Sequence, residues 1–271
     1  MSNRNYIPLI AAAMAVLALL AAAGAGLARC VDDRQAAPAE SDPPYVSPYD
    51  WSNLEWDGER AVYMEDGQPT SRTGIDVSVH QHEIDWQAVA DDGIEFAFIR
   101  VGYRGYTEGA LHVDDYFEAN LTGAREAGLD AGAYFFSQAI TPEEAVEEAE
   151  FVLEQLGGRT LDLPIAYDHE PIAEADGRAN GIDAETLAAC TDAFCQRIEE
   201  AGYDTMVYGN AQIIAMSHGA INDARPVWLA EYHALAPTAQ FDFAIWQYSS
   251  TGSVAGIETD VDLNIIMPEL P

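Results

Sequence analysis

Short apolar runs alternate with amphipathic segments from Gly74 onward, and this alternation constrains the fold more than any other feature of the sequence. The apolar runs predict buried strands at residues 75–78, 96–101, 131–136, 161–167 and 205–208. The segments between them predict helices at residues 85–92, 115–127, 141–156 and 184–201. Regular strand–helix alternation is typical of a parallel sheet, and over this length a closed α/β barrel is the most economical arrangement.

The pattern changes in the last third of the chain. Apolar runs at residues 226–230, 243–248 and 261–265 follow one another with little room for helices. The sequence therefore predicts an α/β fold, a modified (β/α) barrel whose C-terminal third is rich in strands.

The N-terminal residues differ in composition from everything that follows. Residues 6–28 carry no charge and are rich in Ala and Leu, so residues 1–28 are predicted to be a secretory signal peptide or an uncleaved membrane anchor. A lipoprotein site at Cys30 fits less well, because Arg29 stands where a small residue is needed. Each alternative exports the rest of the chain to the periplasm or the extracellular space, either released or anchored to the cytoplasmic membrane.

Three further segments are expected after the apolar one. Residues 29–55 are rich in Asp, Glu, Pro and Ala without apolar periodicity, which predicts a linker. Residues 56–73 place the turn Glu65-Asp66-Gly67 between two strand-like runs and predict a small hairpin extension. The catalytic domain is expected to span residues 74–271.

Charge and cysteine content exclude several classes of partner. The chain has 46 Asp and Glu residues against 12 basic residues, all of them Arg, for a formal net charge of -34. Such a surface repels nucleic acid and anionic membranes. The three cysteines form no Cys/His cluster with zinc spacing, so we expect neither a metal site nor a cofactor.

Two carboxylates close the predicted fourth strand. Asp168 and Glu170 follow the apolar run that ends at Tyr167. Side chains two residues apart on a strand point the same way, with about 6–7 Å between their Cα atoms. Two acids this close repel each other, so one tends to keep its proton at neutral pH, and a protonated acid beside an ionised one can break a glycosidic bond. Solvated loop carboxylates are the alternative in a chain this acidic.

Other polar and aromatic residues are expected at the same rim, because the active sites of α/β barrels lie at the C-terminal ends of the strands. The residues predicted at these ends are Asp76, Arg100, Tyr103, Phe136, Ser137, Tyr208, Asn210, Glu231, Gln247, Tyr248 and Asp262. The predicted substrate contacts are Tyr103, Tyr134, Phe136, Tyr208, Trp228, Glu231, Gln247 and Tyr248. Aromatic faces pack on pyranose rings and carboxylates bind hydroxyls, so the joint pattern predicts a sugar site.

A series of short motifs follows in a specific order along the catalytic domain. The motifs are Gly74-Ile75-Asp76-Val77-Ser78, Ile84-Asp85-Trp86, Phe96-Ala97-Phe98-Ile99-Arg100, Gly132-Ala133-Tyr134-Phe135-Phe136, Asp168-His169-Glu170, Trp228-Leu229-Ala230-Glu231-Tyr232, Trp246-Gln247-Tyr248-Ser249 and Asp260-Val261-Asp262-Leu263-Asn264. Together they resemble glycoside hydrolase family 25, the Chalaropsis-type lysozymes. The resemblance implies five βα units followed by three strands. It also implies hydrolysis of the β-1,4 bond between N-acetylmuramic acid and N-acetylglucosamine in peptidoglycan, by an enzyme that we expect to be a monomer.

The resemblance also implies a role for each acid. Glu170 looks like the general acid, and Asp168 would stabilise positive charge in the transition state and orient the acetamido group of the substrate. Asp76 and Asp262 are similar to the other two acids of the family's rim. The mechanism usually inferred is retention with the acetamido oxygen as nucleophile, an exception to the two-carboxylate scheme. Phe135 stands where the family often has His, and it is expected to point away from the rim.

Two alternatives remain open at this point. A chitinase-type barrel carries further aspartates at spacing two before its acid-x-acid motif, whereas Ala166 occupies that position here. A catalytically silent protein that binds cell-wall glycan on the same scaffold is the second alternative, although all four rim acids are present.

Overall fold

The structure is a computed structural model that describes residues 45–173, 176–217 and 225–268. The predicted export segment, residues 1–28, and the predicted linker as far as residue 44 lie outside the described residues. Within those ranges, none of the helices combines the length and the apolar character needed to cross a membrane.

Strands and helices alternate through most of the described chain. The strands are β1 (Leu54–Asp57), β2 (Arg60–Glu65), β3 (Gln68–Pro69), β4 (Arg72–Val77), β5 (Phe96–Arg104), β6 (Leu111–Val113), β7 (Asp130–Ser137), β8 (Ile165–His169), β9 (Thr205–Gly209), β10 (Val227–Ala230), β11 (Ile245–Gly252) and β12 (Val261–Ile266). The α-helices are α1 (Trp86–Asp91), α2 (Phe117–Glu126), α3 (Pro142–Leu156), α4 (Ala184–Glu200) and α5 (Ala211–Ser217). Of these elements, β1, β6 and α5 had not been predicted individually.

Eight strands close into a barrel, which confirms the predicted fold class. Their order around the barrel is β4-β5-β7-β8-β9-β10-β11-β12, and β12 pairs with β4 to complete the circle. All neighbouring pairs are parallel except those of β12, which is antiparallel to both β11 and β4. Residues 253–260 join β11 to β12 without a helix, and a link this short cannot make the crossover that a parallel pair needs.

Side chains on each strand alternate between the barrel interior and the outer helical layer. On β7, Tyr134 packs with the interior cluster around Phe96, Phe98 and Trp228. The next residue, Phe135, faces outward as expected and packs against Phe151 of α3 and Phe194 of α4. A glycine on β7 makes room for the interior rings, because a Cβ on Gly132 would lie 2.5 Å from the Phe98 ring.

The N-terminal extension packs on the part of the barrel that has no helical cover. Residues 231–244 and 253–260, which follow β10 and β11, contain no helix. The Trp56 ring of β1 contacts the outward rings of Trp246 and Tyr248 on β11, with centroids 6.2 and 5.5 Å apart. Trp51 stacks on Phe243 at 6.0 Å. The extension therefore takes the place of missing helices over β11.

Candidate active site

A cleft of about 310 Å³ opens at the C-terminal ends of the parallel barrel strands. Its walls combine acids, amides, hydroxyls and aromatic rings. The lining residues are Asp76, Ser78, His80, Gln81, Arg100, Tyr134, Phe136, Asp168, Glu170, Tyr208, Trp228, Tyr232, Gln247, Ser250, Asp260 and Asp262. The cleft thus brings together the four acids that the sequence singled out.

Asp76 is fixed by two buried amide side chains. Its Oδ2 accepts hydrogen bonds from Gln247 Nε2 and from Asn264 Nδ2, both at 2.7 Å. Tyr208 and Tyr232 donate to Gln247 Oε1 at 2.8 and 2.6 Å. These bonds stabilise the ionised carboxylate, but burial outweighs them and raises the pKa of Asp76 to about 6.

The second amide is oriented in the same way as the first. Trp228 Nε1 donates to Asn264 Oδ1 at 2.8 Å, so the amide nitrogen of Asn264 is directed at Asp76. Residues of β9, β10, β11 and β12 therefore converge on one carboxylate of β4. Such a network fixes the position of Asp76 within the cleft.

Asp168 is a buried acid of the cleft with a raised pKa. It is 4% exposed, and its Oδ1 has no hydrogen-bond partner among the described residues. Burial raises its pKa well above the ordinary value, and the neighbouring charges of Glu170 and Asp76 raise it further, whereas Arg100 lowers it. The unpartnered Oδ1 leaves Asp168 able to accept a hydrogen bond from a donor group of a ligand.

Glu170 directly follows β8 and shares the same acidic environment. Burial raises its pKa, and the charge of Asp76 adds to the effect. Gln138 Nε2 donates to the backbone oxygen of Glu170 at 2.8 Å, which holds the chain where it leaves the strand. The raised pKa favours the protonated form of the Glu170 carboxyl, which is the form that can donate a proton.

Asp262 reaches the rim because β12 runs against the other strands. It is the second residue of β12 and the register partner of Asp76 on β4. Burial, followed by the charges of Asp76 and Glu170, raises its pKa to about 8. The four acids interact, so they titrate as a group rather than independently.

Five of the eight predicted substrate contacts line the cleft, and three do not. The five that line it are Tyr134, Phe136, Tyr208, Trp228 and Gln247. Tyr248 follows Gln247 on β11, so the alternation of side chains turns it outward against Trp56. Tyr103 stacks on His112 of β6, with ring centroids 5.0 Å apart. Glu231 accepts hydrogen bonds from Thr238 and closes the loop after β10.

Other residues of the cleft had no predicted role. Tyr232 stands next to Glu231 and donates to the Gln247 side chain. Arg100 had been placed at the end of the second predicted strand without a role, and it lines the cleft. The sequence feature that could have identified Arg100 as a cleft residue is its charge, because the rest of the run 96–101 is apolar. Among the described residues, no group of His, Cys, Asp and Glu side chains could hold a metal ion.

Known proteins resemble this chain in both sequence and structure. Residues 75–257 match the family described as glycosyl hydrolases family 25. The chain is 32% identical over 203 residues to Lysozyme M1 of Streptomyces globisporus, and the match covers 70% of this chain and 66% of that protein. It is 28% identical over 191 residues to the autolytic lysozyme of Clostridium acetobutylicum, covering 70% of this chain and 54% of that protein. The chain thus spans less than two thirds of the length of either relative.

A solved structure gives the same picture. The bacterial lysozyme from Streptomyces coelicolor superposes with a TM-score of 0.60 at 29% identity. That match covers 71% of this chain and 90% of the other. The similarity therefore extends over nearly all of the solved enzyme's chain.

Proposed function

The chain belongs to glycosyl hydrolase family 25, and on this premise we propose that it is a lysozyme that hydrolyses the β-1,4 bond between N-acetylmuramic acid and N-acetylglucosamine in peptidoglycan. The observation that carries the proposal is the set of four acids on one rim, Asp76, Asp168, Glu170 and Asp262, with raised pKa values. The aromatic walls of the same cleft supply surfaces on which sugar rings can pack.

In the proposed mechanism Glu170 is the general acid. Its proton passes to the glycosidic oxygen as the bond from that oxygen to C1 of the muramic acid breaks. The acetamido oxygen of the same sugar attacks C1 and forms a cyclic intermediate. Water then opens this ring after losing a proton to the Glu170 carboxylate, so the configuration at C1 is retained and Glu170 regains its proton.

Asp168 is proposed to stabilise the positive charge that develops during this step. In the empty cleft, burial favours its protonated form. Positive charge on the sugar ring and on the acetamido nitrogen favours the ionised form, so the interaction strengthens towards the transition state. Asp76 is proposed to add to the negative potential of the cleft from a position fixed by Gln247 and Asn264.

We further propose that the domain acts as an exported monomer. The uncharged run at residues 6–28 and the extracytoplasmic location of peptidoglycan support export. A cleaved signal and an uncleaved tether predict different products, a shortened soluble chain and a full-length membrane-bound chain. Cell fractionation with N-terminal sequencing separates them, and active full-length protein in the cytosol would contradict export.

The proposed activity is tested by digesting purified peptidoglycan and reducing the new sugar ends with borohydride. A muramidase yields reduced muramic acid, whereas cleavage of the other glycosidic bond yields reduced glucosamine. Glu170→Gln serves as the matched inactive control. Binding without any new reducing end would favour the silent glycan-binding alternative, and efficient cleavage of chitin would favour the chitinase-like one.

A further inference from the structure

Arg100 has hydrogen-bonding capacity that the protein does not use. Its side chain extends from β5 to the cleft wall and is 12% exposed. Its Nε donates to Asp114 Oδ2 at 2.8 Å. Neither Nη1 nor Nη2 has an acceptor among the residues that the structure describes. Both terminal nitrogens are therefore available to a ligand in the cleft.

The guanidinium is held in place before any ligand arrives. The Asp114 side chain that receives Nε is fully buried and also accepts from the backbone nitrogens of Val79 at 2.9 Å and Tyr116 at 3.0 Å. On another side, the Tyr103 ring centroid lies 5.5 Å from the guanidinium carbon. A planar donor group fixed in this way loses little conformational entropy when it binds a ligand oxygen.

Arg100 also brings a positive charge to a cleft that is lined by five acids, the four rim acids and Asp260. The other basic group of the wall is His80, and burial together with the charge of Arg100 lowers the pKa of His80, so that it is mostly neutral at pH 7. The charge of Arg100 acts on Asp168, where it favours the ionised form. Arg100 nevertheless makes no hydrogen bond to any of these five acids, all of which are described. Its terminal donors are therefore free of an internal ion pair.

We propose that Arg100 recognises the lactyl group of N-acetylmuramic acid by donating from its Nη nitrogens to the lactyl carbonyl or carboxylate oxygen. This inference rests on the proposed function and extends it to the choice of sugar. On the muramic acid ring, the lactyl ether at C3 adjoins the acetamido group at C2. Asp168 is the proposed partner of that acetamido group, and Arg100 lies within electrostatic reach of Asp168. The lactyl group alone distinguishes this sugar from N-acetylglucosamine, so Arg100 becomes a determinant of specificity.

The test compares two disaccharides that differ only in the lactyl group. These are N-acetylglucosaminyl-β-1,4-N-acetylmuramic acid and N,N′-diacetylchitobiose, and their Kd values are measured by calorimetry on the full chain carrying Glu170→Gln. Adding Arg100→Gln should weaken binding of the muramic acid disaccharide by about 10- to 100-fold, the typical effect of losing a charged hydrogen bond. Binding of chitobiose should change by less than about threefold, because Arg100 has no hydrogen-bond partner on that sugar in this arrangement.

The matched control is Arg72→Gln. Arg72 pairs with Asp130 at the opposite end of the barrel, so its replacement removes the same charge without touching the cleft. Both Kd values should then stay unchanged. Equal weakening of both ligands by Arg100→Gln, or of neither, would overturn the recognition role.

A second variant guards against misfolding, because Arg100→Gln leaves the buried Asp114 without its cationic partner. Arg100→Lys keeps a positive charge near Asp114 but lacks the planar guanidinium. It should also lower the affinity for the muramic acid disaccharide relative to the affinity for chitobiose. An unchanged ratio in this folded variant would overturn the proposal. The proposed function fails separately if digests contain no new muramic acid ends, and both fail if the Glu170→Gln chain binds neither disaccharide.

Discussion

Asp262→Asn should stabilise the fold at neutral and alkaline pH, although it removes an acid from the candidate active site. Burial and the charges of Asp76 and Glu170 raise the pKa of Asp262 from 3.8 to about 8. Between these two values the folded state holds a proton that the unfolded state has released. The parent protein therefore loses stability as the pH rises from about 4 to about 8. The variant has no such proton to lose.

The size of the effect follows from the two pKa values. The difference between 3.8 and about 8, at 1.36 kcal/mol for each pH unit, gives an upper limit of about 6 kcal/mol. Asp76 and Glu170 share the repulsion, so we expect roughly half of this, about 3 kcal/mol at pH 8. In a folded unit of this size 1 kcal/mol corresponds to about 2–4 °C in Tm, so the variant should melt about 6–12 °C higher than the parent. At pH 4 the two should melt within about 2 °C of each other.

Calorimetric melting curves between pH 4 and pH 9 test this expectation. Ionic strength is held constant because the formal net charge is -34. Asp57→Asn, which removes an exposed carboxylate on β1, is the control for loss of a surface charge, and its Tm difference should change much less between pH 4 and pH 8 than that of Asp262→Asn. A Tm difference for Asp262→Asn that does not grow from pH 4 to pH 8 would refute the reasoning.

Three further predictions address the chemistry and the surface charge. Glu170→Gln should lower kcat by about 10²–10⁴-fold while glycan fragments still bind, because the amide forms hydrogen bonds but cannot protonate the leaving oxygen; near-parental turnover would contradict the role. Asp76→Asn should move the alkaline limb of the pH–rate profile to lower pH, because the charge of Asp76 raises the pKa of Glu170; an unmoved limb would show that another group sets it. The Tm should rise with NaCl, because counter-ions screen the self-repulsion of the surface; a flat or falling Tm would contradict this.

The barrel strands and the four rim acids were predictable because both depend on local sequence. Most of the strands contain an apolar run that is buried on two faces, and Asp168 and Glu170 stand where one such run ends. The direction of β12 was not predictable in the same way, since pairing depends on the length of the link and on which partner strand is free. Its antiparallel course decides that Asp262, near the start of a strand, reaches the rim.

Three of the predicted substrate contacts lie outside the cleft, and the reasons differ from residue to residue. Gln247 and Tyr248 were both predicted to face the sugar, but adjacent strand residues face opposite sides. Glu231 was chosen over Tyr232 by residue type, whereas the loop after β10 turns the tyrosine into the cleft. Asn264 was quoted within a motif but given no role, because an amide that orients a distant carboxylate leaves no local signal in the sequence.

The pairing of β12 with β4 also determines when the candidate active site becomes complete during folding. Asn264 and Asp76 are separated by 188 positions along the chain, and Asp262 pairs with Asp76 across the same two strands. Contacts at such a separation form late, because a long loop must close before they contribute stability. A chain that is still emerging from a ribosome therefore lacks half of the hydrogen bonds to Asp76, and one of the four acids, until β12 docks. Folding order thus delays the full electrostatic repulsion within the cleft until β12 has docked and added Asp262.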